Sequence, residues 1–243
     1  MIYFVADIHL GAGSSEAQER VERSFLHFLH DIEDKASMLV LMGDIFDFWF
    51  EYKRVIPKGY TRVLGQLAAL HDRGVRLVML TGNHDMWVGD YLTKECGIEL
   101  YTTPQVFDLA GKRLFVAHGD NMNVGRKPML RLMNSIFRSK VARALFSWLV
   151  HPDIALRFGR WWSGKSRKAH YAPQSREVLN PLIEYATELS HQRDDIDYYL
   201  FGHMHYAYDG VEEPRMLFLG DWHTQPNYIS LDNNGEIKLN FTE

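Results

Sequence analysis

The stretch Val75-Arg76-Leu77-Val78-Met79-Leu80-Thr81-Gly82-Asn83-His84-Asp85 joins a short apolar run to a tight polar loop. The run, residues 75–80, has the composition of a buried strand. The loop after it brings together an amide oxygen, an imidazole and a carboxylate, which favours a functional site. Asn83 can ligate a metal and His84 can meet a substrate oxygen. Asp85 is expected to fix the tautomer of the His84 imidazole and to raise its basicity.

Four other polar clusters follow apolar runs in the same way. The runs cover residues 2–6, 38–42, 114–117 and 198–201, and the clusters are Asp7-Ile8-His9, Gly43-Asp44-Ile45-Phe46-Asp47, His118-Gly119-Asp120 and Gly202-His203-Met204-His205. Taken singly, such a cluster is explained as well by a capping aspartate or by surface histidines. Five clusters at five strand ends instead predict one shared site.

The side chains predicted to bind metal share oxygen or imidazole donors: Asp7, His9, Asp44, Asn83, His118, His203 and His205. A two-metal centre for phosphoryl transfer holds its ions about 4 Å apart and shares a ligand between them. The two carboxylate oxygens of Asp44 suit it to this bridging position. Oxygen and imidazole donors favour two divalent ions, with Mn²⁺ the expected metal.

The order of strands and helices predicts an α/β fold. Helical spacing of apolar residues follows Ser15, a candidate cap, and recurs over residues 60–73, so that strand and helix alternate through the first half. This order favours a mainly parallel sheet with ligands at the carboxyl ends of its strands. A helix over residues 177–192 and strands over 207–243 then predict a second sheet. We expect a single domain, residues 1–243.

Composition limits the classes of protein that the chain can represent. It has 243 residues, one cysteine (Cys96) and a net charge of −4, which excludes a disulfide scaffold. The apolar N-terminus reaches Asp7 too early for a signal peptide, so a cytoplasmic location is expected. No apolar stretch approaches the roughly 18 to 20 residues of a membrane span. The acidic balance argues against a nucleic-acid partner, and no obligate protein partner is indicated.

Positive charge is concentrated in one segment, residues 126–168. It holds eleven Lys and Arg residues against one acid, Asp153, which leaves a formal charge of −14 on the rest of the chain. Its apolar residues recur at helical spacing, and we predict a helical insertion that attracts an anionic ligand or membrane surface. Leu145, Trp148, Leu149, Trp161 and Trp162 could contact acyl chains or the membrane. They could equally pack the helices of the insertion together.

The ordered set of five clusters resembles the calcineurin-like metallophosphoesterase superfamily. The resemblance spans Asp7 to His205 and implies a sandwich of two mixed β-sheets flanked by helices, with a helical cap insertion. It also implies two overlapping sets of metal ligands, of which Asp44 is the bridge. The first set is Asp7, His9, Asp44 and His205, and the second is Asp44, Asn83, His118 and His203.

Within that superfamily the chain is most similar to the UDP-2,3-diacylglucosamine hydrolases of lipid A biosynthesis. The features that carry the resemblance are its size, the insertion, residues 43–49 with their final tryptophan, and Gly220-Asp221-Trp222-His223-Thr224. They imply hydrolysis of the substrate's pyrophosphate to UMP and 2,3-diacylglucosamine 1-phosphate, at the cytoplasmic face of the inner membrane. The catalytic residues would be His84 and Asp85. The substrate would meet Asp120, Asn121, Arg126, Lys165, Lys168, Trp222 and His223.

The chain departs from those hydrolases at His84, where they typically carry arginine. An alkoxide leaving group benefits from a proton donor by about 10² to 10⁴ in rate, whereas a sugar phosphate leaves without one. Histidine therefore permits pyrophosphate cleavage and also keeps open a phosphatase, phosphodiesterase or nucleotide hydrolase. A third possibility is a non-catalytic module that has lost its metals, against which the complete set of ligands argues.

Overall fold

The computed structural model describes residues 1–122, 139–170 and 175–242. Its strands are β1 (Ile2–Val5), β2 (Met38–Leu41), β3 (Arg76–Leu80), β4 (Glu99–Tyr101), β5 (Gln105–Leu109), β6 (Lys112–Ala117), β7 (Tyr198–Phe201), β8 (Tyr208–Asp209), β9 (Met216–Phe218), β10 (Asn227–Leu231) and β11 (Ile237–Phe241). Its helices are α1 (Ser15–Ile32), α2 (Thr61–Asp72), α3 (Tyr91–Cys96), α4 (Lys140–Leu149), α5 (Pro152–His170) and α6 (Asn180–Ser190), with a 3₁₀ turn at Arg176–Leu179.

The strands form two mixed sheets, which confirms the predicted fold class. One sheet has the order β11-β10-β1-β2-β3-β4 and the other has the order β5-β6-β7-β9-β8. In the first, β1 to β4 run parallel to one another, β10 runs antiparallel to β1, and β11 runs antiparallel to β10. In the second, β6, β7 and β9 run parallel between antiparallel edge strands. Each strand that is followed by a predicted metal ligand therefore pairs with at least one parallel strand.

Alternating side chains divide the core into layers, because successive residues of a strand point to opposite faces. In β1, Tyr3 and Val5 face the helices α1 to α3, while Phe4 packs between the two sheets. In β6, Val116 lies between the sheets and Phe115 faces α6. The order of layers is thus helices, sheet, sheet, helix. Both faces of the central strands are buried, which explains their continuous apolar runs.

Two helix boundaries differ from the sequence-based prediction. Ser14, and not Ser15, caps α1, because its hydroxyl accepts a hydrogen bond from the Ala17 amide. The single helix predicted over residues 177–192 is a 3₁₀ turn followed by α6. Pro181 lies in the first turn of α6, where its missing N–H costs no helical hydrogen bond.

The insertion contains two described helices, α4 and α5, and its residues 126–138 lie outside the described part of the chain. Phe146 of α4 packs between Phe50 and Trp87, at ring-centroid distances of 5.3 and 5.2 Å. The hydroxyl of Tyr52 donates to the carbonyl of Val150 between the two helices. These contacts fix the insertion to the loops that follow β2 and β3. Among the described residues, no helix has the length and hydrophobicity to cross a bilayer.

Candidate metal centre

Left-handed backbone angles single out most of the predicted ligands. In the described part of the chain seven non-glycine residues have positive φ, and five of them are Asp7, His9, Asp44, His203 and His205, with φ between 48° and 68°. This conformation costs on the order of 1–3 kcal/mol for a residue with a β-carbon and persists only where the surroundings impose it. The strand ends therefore hold their ligands in a strained geometry, as functional sites often do.

Hydrogen bonds from backbone amides orient the two ligating carboxylates. Asp7 Oδ2 accepts from the amide of His203 at 2.8 Å, and Asp44 Oδ1 accepts from the amide of His84 at 2.9 Å. Gly82 makes the second contact possible, because a β-carbon there would lie 2.2 Å from Asp44 Oδ1. Each carboxylate is tied to another strand's loop by one oxygen and keeps its second oxygen for the site.

The first predicted ligand set lies around Asp7. Asp7 Oδ1 is 3.5 Å from His205 Nε2 and 3.9 Å from His9 Nε2. The two imidazole nitrogens are 3.1 Å apart, and His9 Nε2 is 3.9 Å from Asp44 Oδ2. Asp7, His9 and His205 together can surround one ion.

The second predicted set lies on the other side of Asp44. His118 Nε2 is 3.3 Å from Asp44 Oδ2, and a donor atom of His203 lies within 4.8 Å of both residues. His118 is held in place by Nδ1, which donates to the carbonyl of Met42 at 3.0 Å. Asp44 Oδ2 thus lies near both groups of imidazoles, in the position that a bridging carboxylate requires.

The donor set fits a pair of divalent cations. Asn83 Oδ1 and Asp7 Oδ1 are buried and accept no hydrogen bond from the described residues, although a buried oxygen normally has a partner. Carboxylate, amide and imidazole donors suit divalent metals such as Mn²⁺ and Zn²⁺. Asp7, His9, Asp44 and His205 would hold one ion, and Asp44, Asn83, His118 and His203 would hold the other.

The electrostatics of the site favour the binding of cations. Burial acts to raise the pKa of Asp44, but the imidazoles of His118, His84 and His9 outweigh it and hold that pKa well below its usual value. Burial acts to lower the pKa of His118 and His205, but Asp44 and Asp7 outweigh it and raise both pKa values. Protons on these rings must leave before the rings ligate a metal.

The role predicted for Asp85 requires correction. Its carboxylate does not orient His84; Oδ1 accepts from the amide of Gly82 at 2.7 Å and Oδ2 from the amide of Ile45 at 2.9 Å. Burial and the nearby charge of Asp44 raise the pKa of Asp85 to about 7. Asp85 therefore joins the loops that follow β2 and β3. His84 Nδ1 instead donates to the carbonyl of Asp47 at 2.8 Å.

Asp85→Ala is expected to lower the free energy of unfolding of the metal-free protein by about 2–5 kcal/mol. The substitution leaves two buried amides without an acceptor, and each costs roughly 1–3 kcal/mol. Urea unfolding measures the change. Asp90→Ala is the matched control, because the Asp90 side chain is exposed and forms its ion pair with Lys94 on the surface. A loss below about 1 kcal/mol for Asp85→Ala would contradict the assigned role.

Three of the residues predicted to bind substrate lie beside the centre. Asp120 and Asn121 line a pocket of about 190 Å³ beside His118, and Asn121 Nδ2 donates to Asp120 Oδ2 at 2.9 Å. His223 also lies beside the centre, with Nε2 3.3 Å from the carbonyl oxygen of His9. Arg126 and the side chains of Lys165 and Lys168 lie outside the described part of the chain.

Trp222 is the second correction. The sequence favoured a place beside the site, but the indole is 1 % exposed and packs edge-on against Phe25 and Phe28 of α1. Only its backbone serves the site, through an amide that donates to the carbonyl of Asp7 at 3.2 Å. Neighbouring side chains on this turn face opposite ways, so that His223 approaches the centre and Trp222 fills the core.

Sequence reasoning did not assign roles to two residues that hold side chains beside the centre. Ser163 of α5 lies with its hydroxyl 3.0 Å from His84 Nδ1 and 2.7 Å from the carbonyl oxygen of Asp47. Asp221 organises the turn that carries His223, because its carboxylate accepts from the His223 amide and the Thr224 hydroxyl. Ser163 begins a stretch rich in serine and basic residues, residues 163–168, but its contact with His84 is visible only in three dimensions.

Comparison with known proteins agrees with the geometry of this site. The model of the family described as calcineurin-like phosphoesterase matches residues 1–207 of the chain, which include every predicted metal ligand. The chain belongs to the calcineurin-like phosphoesterase family. It is a metal-dependent hydrolase of that family, and the resemblance drawn from its five clusters is confirmed.

Relatives of this phosphoesterase match it over nearly their whole length. A Porphyromonas gingivalis protein named UDP-2,3-diacylglucosamine hydrolase is 38% identical over 95% of the chain and 94% of the relative. Proteins of the same name from Histophilus somni and Stutzerimonas stutzeri are 27% and 28% identical. The alignments cover 96% and 97% of this chain, and 97% and 96% of those proteins. The insertion is therefore part of what the chain shares with them.

Proposed function

We propose that the protein hydrolyses the pyrophosphate bond of UDP-2,3-diacylglucosamine and releases UMP and 2,3-diacylglucosamine 1-phosphate. Similarity to hydrolases of that name over nearly the whole chain supports this substrate. The substrate has a diphosphate, which needs a metal centre, and two acyl chains, which need an apolar surface. The protein offers both, and α5 connects them.

The exposed apolar side chains of the insertion are the observation that carries this proposal. On α4, Trp148 is 81% exposed and Leu149 is 68% exposed. On α5, Phe158, Trp161 and Trp162 form an exposed aromatic cluster with ring centroids 5.8 to 6.5 Å apart. Within the described part of the insertion these side chains stay exposed, which favours contact with acyl chains over packing between helices. Such a surface suits acyl chains or a membrane.

The mechanism requires the chain to hold the diphosphate in line with a water molecule. Two divalent ions, which we propose to be Mn²⁺, supply Lewis-acid polarisation of the phosphoryl group and activation of water when bound. Asp44 lies between the two groups of ligands and so fixes their separation. His84 Nε2, 3.9 Å from Asp44 Oδ2, faces the same space and can stabilise charge on the phosphoryl oxygens. The sugar phosphate leaves without needing a proton.

Product analysis in isotopic water tests this reaction. Purified protein with Mn²⁺ and UDP-2,3-diacylglucosamine in H₂¹⁸O should release UMP that carries the label, because attack occurs at the uridylyl phosphorus. Label in the sugar phosphate would place the attack at the other phosphorus. Absence of UMP, together with efficient cleavage of simple aryl phosphates, would refute the lipid substrate.

A phosphatase or nucleotide hydrolase is the second candidate function, and His84 is the observation that favours it. The imidazole is 7% exposed and lies against Asp44 within the centre, where it could protonate an alkoxide leaving group. In this function the insertion would cover the site without contacting acyl chains. A comparison of kcat/KM for UDP-2,3-diacylglucosamine with that for a nucleoside monophosphate distinguishes the two candidates.

We also propose that the insertion brings the protein into peripheral contact with a membrane, at its cytoplasmic face. Trp148→Ser should lower binding to anionic phospholipid vesicles about tenfold or more, since burying a large apolar side chain contributes roughly 1.5–3 kcal/mol. Vesicle co-sedimentation measures the binding. Val211→Ser is the control, because Val211 is 77% exposed and lies outside the insertion. Equal binding by both variants and the unaltered protein would exclude a membrane contact through Trp148.

A further inference from the structure

We infer that Ser163 of α5 is a positioning residue for His84, so that docking of the insertion sets the orientation of the imidazole in the metal centre. This inference rests on the proposed function only in that His84 acts on the reacting phosphate. The serine lies 79 positions beyond His84 in the chain. It is 2% exposed, and His84 is 7% exposed.

The hydrogen bonds around the imidazole leave one arrangement of hydrogens. A carbonyl oxygen can only accept, so His84 Nδ1 must carry the hydrogen that it donates to Asp47 at 2.8 Å. The Ser163 hydroxyl donates to the same carbonyl at 2.7 Å, and its oxygen lies 3.0 Å from Nδ1 as a second acceptor. Asp47 and Ser163 together hold Nδ1 away from the site. Nε2 consequently faces Asp44.

Close packing fixes the part of α5 that carries Ser163. Gly159, one turn before it, lies on the ring of Phe48, and a β-carbon at Gly159 would be 2.3 Å from that ring. Ala155, a further turn back, is fully buried. Phe48 directly follows Asp47, whose carbonyl the serine contacts. Movement of α5 away from residues 47–48 would therefore remove Ser163 from His84.

The consequence is a link between the exposed apolar surface and the chemistry. The same helix carries the exposed Trp161 and Trp162 and the buried Ser163. A ligand that displaces α5 would move Ser163 away from the imidazole of His84. A ligand that holds α5 in its docked position would keep this contact. Ser163 is thus expected to affect the rate of the chemical step more than the binding of substrate.

Ser163→Ala tests the inference with a probe that needs no acyl chain. The probe is a nucleoside 2′,3′-cyclic phosphate, a diester whose leaving group is an alkoxide. We expect kcat to fall about tenfold, because the substitution removes a hydrogen-bond partner that orients the imidazole of His84. KM should stay within about twofold of the value for the unaltered protein. Ser147→Ala is the control, since the Ser147 hydroxyl donates to the Ala144 carbonyl of its own helix, α4. An unchanged kcat in Ser163→Ala would overturn the inference.

A double-mutant cycle with His84→Ala distinguishes positioning from general structural damage. If Ser163 acts through His84, Ser163→Ala should cause no further loss of kcat in the His84→Ala background. An equal loss in both backgrounds would overturn the inference. Gly159→Ala keeps the hydroxyl but displaces α5, and its loss of kcat should likewise disappear in the His84→Ala background. A coupled cycle in a protein that does not hydrolyse UDP-2,3-diacylglucosamine would support the positioning role and reject only the proposed substrate.

Discussion

Asp44→Asn is expected to lower kcat by about 10³-fold and to reduce the metal content from two ions per chain to one or none. Asp44 Oδ2 lies 3.3 Å from His118 Nε2 and 3.9 Å from His9 Nε2, between the two ligand groups. An asparagine offers one neutral oxygen in place of two charged ones and cannot bridge. If the metal ions no longer stabilise the transition state by several kcal/mol, the rate falls by about 10³-fold.

The choice of asparagine keeps the local structure. Its amide oxygen can still accept the hydrogen bond from the His84 amide that Asp44 Oδ1 accepts now. Steady-state kinetics and elemental analysis of the same preparation give both readouts. Asp108→Asn is the matched control, because Asp108 is exposed and forms a surface ion pair with Arg113. Two bound ions and near-normal activity in Asp44→Asn would show that Asp44 is not the bridge.

His84→Ala is expected to show a loss of rate that grows with the basicity of the leaving group. For a substrate that expels an alkoxide, such as a nucleoside 2′,3′-cyclic phosphate, kcat should fall by about 10² to 10⁴-fold, the range for loss of a general acid. For UDP-2,3-diacylglucosamine or an aryl phosphate the loss should be at most about tenfold, because these leaving groups are weaker bases than an alkoxide and leave without a proton. Parallel kinetics on the three substrates measure the difference.

His84→Arg is the informative companion variant. Arginine places a positive charge next to Asp44 but is of little use as a proton donor to an alkoxide. Pyrophosphate cleavage should therefore stay within about tenfold of the unaltered protein, while alkoxide release falls as in His84→Ala. A uniform loss across all leaving groups in His84→Ala, with little loss on any of them in His84→Arg, would show that His84 only stabilises phosphoryl charge.

The sequence predicted the parts of this fold that are governed by burial. Strands β1, β2, β3, β6 and β7 are buried on both faces, so each is a continuous apolar run that ends at a polar cluster. Parallel pairing then brings the clusters together. The short strands β4 and β5 lie at sheet edges and were not predicted, because an edge strand needs no such run.

The partners of the candidate site residues were less predictable. Asp85 is next to His84 in sequence, but the tight turn directs its carboxylate back to the Gly82 amide. Trp222 is next to His223, but the two side chains face opposite sides of the turn. Ser163 meets His84 across 79 positions of the chain. Each relation depends on backbone direction or on the docking of α5, which residue type and spacing do not specify.

Anomalous diffraction from crystals grown with Mn²⁺ tests the central claim of a dinuclear centre most directly. Data collected at the manganese edge should show two peaks about 4 Å apart, one on each side of Asp44. The first peak should touch Asp7, His9 and His205, and the second should touch Asn83, His118 and His203. A single peak, or a second peak out of reach of Asp44, would contradict the account.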